Sequence, residues 1–252
     1  MHPKAAGIAL ADTLRLRYQP IFRLRDGAVC HAEVLARSQT ADGQLLGPQA
    51  IVDVMSCPEA ALHLTLAIMD RALCEYVEHG LHRQGLELAF NLPLNVLVFP
   101  GLIERIRAVQ AQYGLDATVL RFELTETQPV RDPPAALASI AGLRAHGYLL
   151  ALDDAVPGMA CLDALLGAPL SAIKLDRSVV TDEGADATMF IRAMTGSAKR
   201  HGQEVVAEGI ETAAQMRRMQ ALGVSHGQGY FFAWPLTALA LSLIHISEPT
   251  RP

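Results

Sequence analysis

LRYQPIFRLRDGAVCHAEVLAR, residues 16–37, decides the fold. Two apolar, strand-like runs, LRYQPIFRL and AVCHAEVLAR, flank Arg25-Asp26-Gly27, and Asp-Gly is a hairpin turn signal. A hairpin makes the first two strands antiparallel. Past residue 80 the pattern changes to short apolar runs that end in a polar or acidic residue. These are LELAFN (86–91), VLRFELTE (119–126), YLLALDD (148–154), SAIKLD (171–176), EVVAEG (204–209) and VSHGQGY (224–230). Each is bounded by turn residues and too short for a helix. Amphipathic helices fill the intervals. Pro58 to His79 carries Leu62, Leu66, Met69 and Leu73 on one stripe. Asp132 caps a helix with Pro133 in its first turn, and Leu137, Ile140 and Arg144 recur along it before Gly147. Thr212 and Gln215 have capping-box spacing, and Met216, Met219 and Leu222 form a face before Gly223. Strand-helix alternation of this kind argues for parallel strands with helical crossovers. The expected fold is α/β, a modified TIM-type (β/α)8 barrel with the first strand antiparallel to the rest.

The expected division is an N-terminal lead over 1–13, one barrel domain over 14–240 and a non-native tail over 241–252. LSLIHISEPTR, Leu241 to Arg251, reads like the translation of a transposase adapter used in sequencing libraries, and fold reasoning leaves it out. No linker, sensor or cyclase segment is visible. With that segment gone, the barrel is expected to lack its last helix and to expose apolar surface.

Half the chain, 51%, is hydrophobic and the net charge is −5. That composition excludes a disordered chain and a nucleic-acid polymer as partner. No apolar stretch reaches membrane-spanning length, and the N-terminal apolar run is too short for a signal peptide, so a cytoplasmic location is expected. The cysteines, Cys30, Cys57, Cys74 and Cys161, show no C-x-x-C spacing, which points to buried reduced thiols rather than zinc.

Active sites of such barrels form at the carboxyl ends of the strands. Glu33, Asn91, Glu123, Asp153 with Asp154, Lys174 with Asp176, Glu208 and Gln228 all fall there. One strand-end acid is common by chance, whereas acids on this many strands are harder to dismiss. Converging carboxylates repel, and oxygen ligands of this type suit Mg²⁺ or Mn²⁺. Asp153 and Asp154, being adjacent, can reach two ions, and paired metals suit phosphodiester cleavage. Lys174 either positions a water or forms a salt bridge to a neighbouring acid. An enolase-type barrel uses similar groups, but only about a dozen residues precede the first strand, too few for the capping domain such enzymes carry.

These motifs resemble the EAL family of bacterial cyclic di-GMP phosphodiesterases, from Leu14 to Pro235. YQPIF at Tyr18 looks like its opening strand, and AEVLAR (32–37) stands where the Glu-Ala-Leu-x-Arg signature lies. FNLPL, FELTET, LDD, AIKLDRSVV, VAEGIET and GQGYFFAWPL follow in the family's order. The resemblance implies hydrolysis of cyclic di-GMP to linear pGpG with two Mg²⁺ or Mn²⁺ ions, by a homodimer. It implies Glu33, Asn91, Glu123, Asp153, Asp154 and Glu208 as metal ligands and Lys174 as holder of the attacking water. Glu126 would brace the loop after Asp154. Gln19, Arg37, Asp176, Glu211 and Gln228 would contact or frame the dinucleotide, Arg37 through its fork of N–H donors.

Three departures stand out. Val34 replaces the signature alanine and leaves Glu33 in place. Pro93 replaces a serine beyond Asn91. After Asp154 the family's Phe-Gly-Thr-Gly-Tyr-Ser-Ser becomes Ala155-Val156-Pro157-Gly158-Met159-Ala160-Cys161, where Pro157 restricts the backbone. That loop leaves a second reading open: a weak or inactive receptor, or a protein-interaction module. An unrelated metal-dependent barrel enzyme is a third.

Overall fold

Asp26 builds the turn that reverses the first strand. In this computed structural model, which describes residues 13–39, 42–46, 49, 51, 54, 57–125, 132–159 and 162–244, β1 (Leu14–Arg23) and β2 (Val29–Gln39) pair antiparallel with Gln19 opposite Glu33. The Arg23 N–H donates to the Ala28 carbonyl, and the Gly27 N–H donates to the Arg23 carbonyl, both at 2.8 Å. Gly27 sits at φ 73°, where a Cβ is disfavoured. The Asp26 carboxylate accepts from the Ala28 N–H and pairs with the Arg23 guanidinium. The connection is longer than a two-residue hairpin, but the strands reverse as the Asp-Gly signal implies.

β3 (Leu45–Leu46) lengthens the edge of β2. The other strands are β4 (Glu87–Pro93), β5 (Leu120–Thr125), β6 (Leu149–Ala155), β7 (Ala172–Leu175), β8 (Glu204–Ala207) and β9 (His226–Gly227). From β2 through β4 to β9 the neighbours are parallel, and β1 closes the ring by pairing antiparallel with both β9 and β2. This is the modified barrel expected from the sequence.

Alternation along the strands sorts residues into two environments. Leu88, Phe90, Leu92, Phe122, Leu124, Leu150, Leu152, Ile173 and Leu175 face outward and form the buried layer under the helices. Asn91, Glu123, Asp153 and Lys174 face inward. The helix Pro58–Glu78 buries Leu62, Met69 and Leu73 as expected, but Leu66 is only partly buried. Thr65 and Ile68 take the deeper positions, because the face toward the barrel is rotated from the stripe read in the sequence. The helix Pro133–Ala145 is capped by the Asp132 carboxylate, which accepts from the Ala135 N–H at 3.0 Å. Its buried positions are Ala136, Ile140 and Leu143, with Leu137 partly buried. The helix Ala213–Ala221 begins with the complete Thr212–Gln215 capping box and buries Met219, while Met216 and Leu222 pack at its margin.

A last helix, Ala238–Ile244, follows Pro235. It seats Leu241 fully in the core, and the Gln84 side-chain amide donates to the Ser242 carbonyl at 3.0 Å. The covering helix draws Leu241 to Ile244 from the segment set aside as a tail, and the expectation of bare apolar surface concerns the barrel without them. Cys30, Cys57 and Cys74 are free but half-buried rather than buried, and Cys161 lies outside the described residues. Among the described residues no helix is long and apolar enough to cross a membrane.

Candidate metal and phosphodiester site

Lys174 is the centre of the site. It points inward from β7, is 1% exposed, and its Nζ lies 2.9 Å from Glu123, 2.7 Å from Asp153, 2.6 Å from Glu208 and 3.7 Å from Glu33. The acids come from different strands: Glu33 from β2, Glu123 from β5, Asp153 from β6, and Glu208 from just beyond β8. Parallel register sets the layer, placing Asn91 beside Glu123 across β4 and β5. Both readings of Lys174 offered by the sequence involve a charged lysine, and the ion pairs are there.

Asp154 needs a separate explanation. The residue after an inward-facing strand position normally points outward. Here β6 carries an irregularity between Leu152 and Ala155, and Asp154 sits at φ 51°. Aspartate tolerates this left-handed region better than most residues, at some cost. The kink turns Asp154 back to the barrel mouth, where Asp153, Asp154 and Glu208 offer carboxylate oxygens within 4.8 Å of one another.

The electrostatics favour added positive charge at the site. Five carboxyls, those of Glu33, Glu123, Asp153, Asp154 and Glu208, face one ammonium. Burial, reinforced by Asp153 and Glu33 against the pull of Lys174, pushes Glu208 up to about 8. Burial and the neighbouring Asp153 push Asp154 up to about 6. Burial raises Glu123 well above the usual carboxylate range, and no hydrogen-bond donor reaches it beyond its Lys174 ion pair. Glu33 runs the other way: burial is outweighed by Lys174 and by hydrogen bonds from the Gln228 and Asn91 amides, at 2.6 and 3.3 Å. Uncompensated buried negative charge is costly, and hard divalent cations with oxygen ligands relieve it. The donor set present fits such ions.

Two cavities flank the centre. The larger, of about 440 Å³, is lined by Glu33, Val34, Arg37, Asn91, Asp153 and Asp154 at its polar end, with an apolar end under the helix Pro58–Glu78. The smaller, of about 290 Å³, contains Gln19, Arg177, Glu208, Glu211, Gln228 and Tyr230. The Gln228 amide also donates to the Gln19 side-chain oxygen at 3.2 Å, and Glu211 pairs with Arg177 at 2.8 Å. Arg37 reaches the larger cavity while donating to the Ala36 carbonyl.

Asp176 lines neither cavity. Its carboxylate caps the short helix Arg177–Thr181 by accepting from the Ser178 N–H at 2.8 Å, though it lies near enough to help raise Asp154. Glu126 lies outside the described residues, as do Ala160 and Cys161 at the end of the altered loop. Within that loop Gly158 takes φ 81° and the Met159 N–H donates to the Val156 carbonyl at 3.3 Å. Sequence reasoning passed over Arg177, Tyr230 and Thr65. A signal for Arg177 exists in Gly209, which sits at φ +64°. A Cβ there would meet the Arg177 Cγ at 2.5 Å, so the glycine makes room for the arginine stem.

A barrel with one reversed first strand and helical crossovers places the chain in the class of modified TIM-type barrels. The sequence model of the EAL domain matches residues 5–235, and the chain belongs to that family. It is 33% identical over 221 residues to the cyclic di-GMP phosphodiesterase RocR of Pseudomonas aeruginosa, covering 87% of this chain and 56% of that protein. It is 31% identical over 228 residues to an uncharacterized protein of Azorhizobium caulinodans, covering 88% of this chain and 31% of that protein. Among solved structures, the PaMucR phosphodiesterase in complex with c-di-GMP superposes with a TM-score of 0.83 at 24% identity, covering 95% of this chain and 98% of that one, which bears on the fold. The chain thus spans between about a third and somewhat over half of the length of these two relatives.

Proposed function

We propose that the chain hydrolyses cyclic di-GMP to linear pGpG, as a cytoplasmic enzyme using two Mg²⁺ or Mn²⁺ ions. One observation carries the reading: carboxyls from four strands converge on Lys174, and a kinked β6 brings Asp154 to join them. Glu33, Asn91, Glu123, Asp153, Asp154 and Glu208 would hold the ions. When bound, such ions activate water and stabilise the attacking and leaving oxygens of an in-line displacement. Lys174 stays an ammonium, so it holds and orients the attacking water and does not take its proton. Arg37 binds a phosphate oxygen at the mouth of the larger cavity. Gln228 and Gln19 hold Glu33 in place, and Glu211 with Arg177 frames the smaller cavity. The two cavities, which adjoin at Glu33 and Leu35, suit a ligand with a base on either side of its phosphates. By the family resemblance Glu126 would brace the loop after Asp154 and the enzyme would work as a homodimer, while Asp176 would act on the substrate only through the short helix Arg177–Thr181 that it caps.

The test is turnover of cyclic di-GMP with Mg²⁺ or Mn²⁺, followed by chromatography of pGpG. Product is expected, with Glu33→Ala and Lys174→Ala each abolishing it. Binding without product, and with Glu33→Ala leaving affinity unchanged, sinks the enzyme reading. It would favour the receptor reading, for which the loop after Asp154 is the supporting observation, since Val156, Pro157, Gly158 and Met159 bring no polar side chain to the mouth. Sedimentation equilibrium tests the homodimer.

A further inference from the structure

We infer that a groove between the helices Ala185–His201 and Ala213–Ala221 docks an acidic helix of a partner protein, apart from the metal site and independently of it. The groove, of about 420 Å³, lies beside the start of β8, at the other end of that strand from Glu208. Gly223 and Ser225 wall it on one side, and the second half of the helix Ala185–His201 runs along the other. Arg192, Gly196 and Lys199 line it together, at spacings i, i+4 and i+7 that put them on one helical face. That face reads cation, bare backbone, cation.

Packing of the fold accounts for neither the glycine nor the charges. A glycine inside a helix costs stability relative to alanine. Where one is kept for close packing, a Cβ would collide with a neighbour, as at Gly142, where it would meet the Ile103 Cδ1 at 2.8 Å. At Gly196 the nearest such atom is the tip of Arg200, at 3.8 Å, so a side chain would stand in the open groove. Arg192 and Lys199 are exposed, and among the described residues neither pairs with an acid. Lys199 suits the negative end of its helix, but Arg192 lies two turns further back, beyond the reach of that effect. Gln203 lines the groove as well. Its amide donates to the Leu170 carbonyl at 3.2 Å, and its buried Oε1 accepts nothing, an unmet bond that a donor on a docked partner would make.

Two cations seven residues apart on a helix stand roughly 10 Å apart along its axis. Carboxylates on a partner helix match that rise at the same spacing, where they also share one face. In an extended segment, same-face positions fall roughly 7 or 13 Å apart and miss it. Gly196 lets the partner's backbone come close between the two ion pairs. Among the described helices of this chain none carries two acids seven residues apart, so the partner is a different protein and not a second copy.

The probe is a fluorescent, hydrocarbon-stapled alanine helix with two glutamates seven positions apart. Its controls carry the glutamates five apart, on different faces, or replace them with lysines. Anisotropy at low salt is expected to show saturable binding of the probe by the full chain, and about tenfold or more weaker binding of either control. Arg192→Glu combined with Lys199→Glu is expected to reverse the preference, so that the lysine helix binds. Gly196→Leu fills the groove and is expected to weaken the probe about tenfold or more. Its melting temperature should hold or rise, because leucine favours a helix more than glycine does. Equal binding of the two glutamate spacings, a probe affinity untouched by Gly196→Leu, or no binding at all overturns the inference. None of these outcomes touches the phosphodiesterase reading, which is assayed on other residues.

Discussion

Asp154 shows what a single backbone angle does to the site. At φ 51° a side-chain-bearing residue costs about 1–2 kcal/mol relative to ordinary backbone, and its carboxyl lies against Asp153 with nothing but Lys174 to offset the charge. Both costs disappear in Asp154→Gly, which occupies the left-handed region freely. Denaturant unfolding without divalent ions should therefore find Asp154→Gly about 1 kcal/mol more stable than the unaltered chain. The pGpG assay should find its turnover down by roughly two orders of magnitude, the loss typical when one electrostatic element of a preorganised site is deleted. Asp154→Asn, which also tolerates this backbone, should lose turnover with a smaller gain in stability. An Asp154→Gly chain that keeps its turnover would remove Asp154 from the metal set. The doublet Asp153-Asp154 was legible in the sequence, but the kink that lets adjacent residues share one face was not. It depends on how β6 meets β7, and no spacing rule encodes that.

At the scale of elements, the readable parts were those written by local chemistry. Asp26-Gly27 reverses β1, Asp132 caps its helix, and Thr212 with Gln215 makes a full capping box, each within a few residues of its signal. Features that need two elements to meet were not readable. Thr65, not Leu66, faces the barrel because the helix Pro58–Glu78 is rotated by its packing on β1 and β4. The segment after β9 is another case. Tyr230 and Trp234 stack with ring centres 3.9 Å apart and planes 10° from parallel, both substantially exposed, and Tyr230 lines the smaller cavity. Stacking of this kind holds an aromatic wall in place beside the site. Trp234 is the only tryptophan in the chain, so its emission reports on that wall alone. Titrating cyclic di-GMP should change Trp234 fluorescence saturably, at the same midpoint that calorimetry gives, and Trp234→Phe should be silent yet still bind. Calorimetric binding with an unaltered emission would place the ligand away from Tyr230.

Across the whole molecule, the barrel interior carries a second polar layer beneath the site. His31, Arg121 and His226 stand two residues before Glu33, Glu123 and Gln228 on their strands, so they share the inward face one layer lower. The Arg121 guanidinium, 3% exposed, pairs with Glu87 at 2.8 Å and Glu204 at 2.9 Å, tying β4, β5 and β8 together across the floor. His31 packs beside His226, ring centres 5.4 Å apart, with neither of its ring nitrogens hydrogen-bonded. Burial, then the charge of Arg121, then His226 and Lys174, drives His31 well below the usual histidine range. Burial also lowers His226, although Glu204 pulls the other way and Arg121, Arg23 and Asp26 contribute smaller effects. In the unfolded chain both rings titrate near the ordinary histidine value, ~6.5. The unfolded state therefore binds protons in a range where the folded state does not. Linkage makes the histidines' contribution to stability fall as pH drops below that value, by up to about 1.4 kcal/mol per pH unit for each histidine, until the folded-state pKa is reached. Over pH 7 to 5 the raised carboxyls of Glu208 and Asp154 act in the opposite sense, so the histidine contribution is read as the difference in urea unfolding between the unaltered chain and His31→Leu. His31→Leu should reduce it, and should raise stability at pH 7 by about 1 kcal/mol or more because the unpartnered ring nitrogens are gone. A slope unchanged by His31→Leu would mean that His31 does not stay neutral in the folded barrel, and that the lower layer holds its charge by pairing instead.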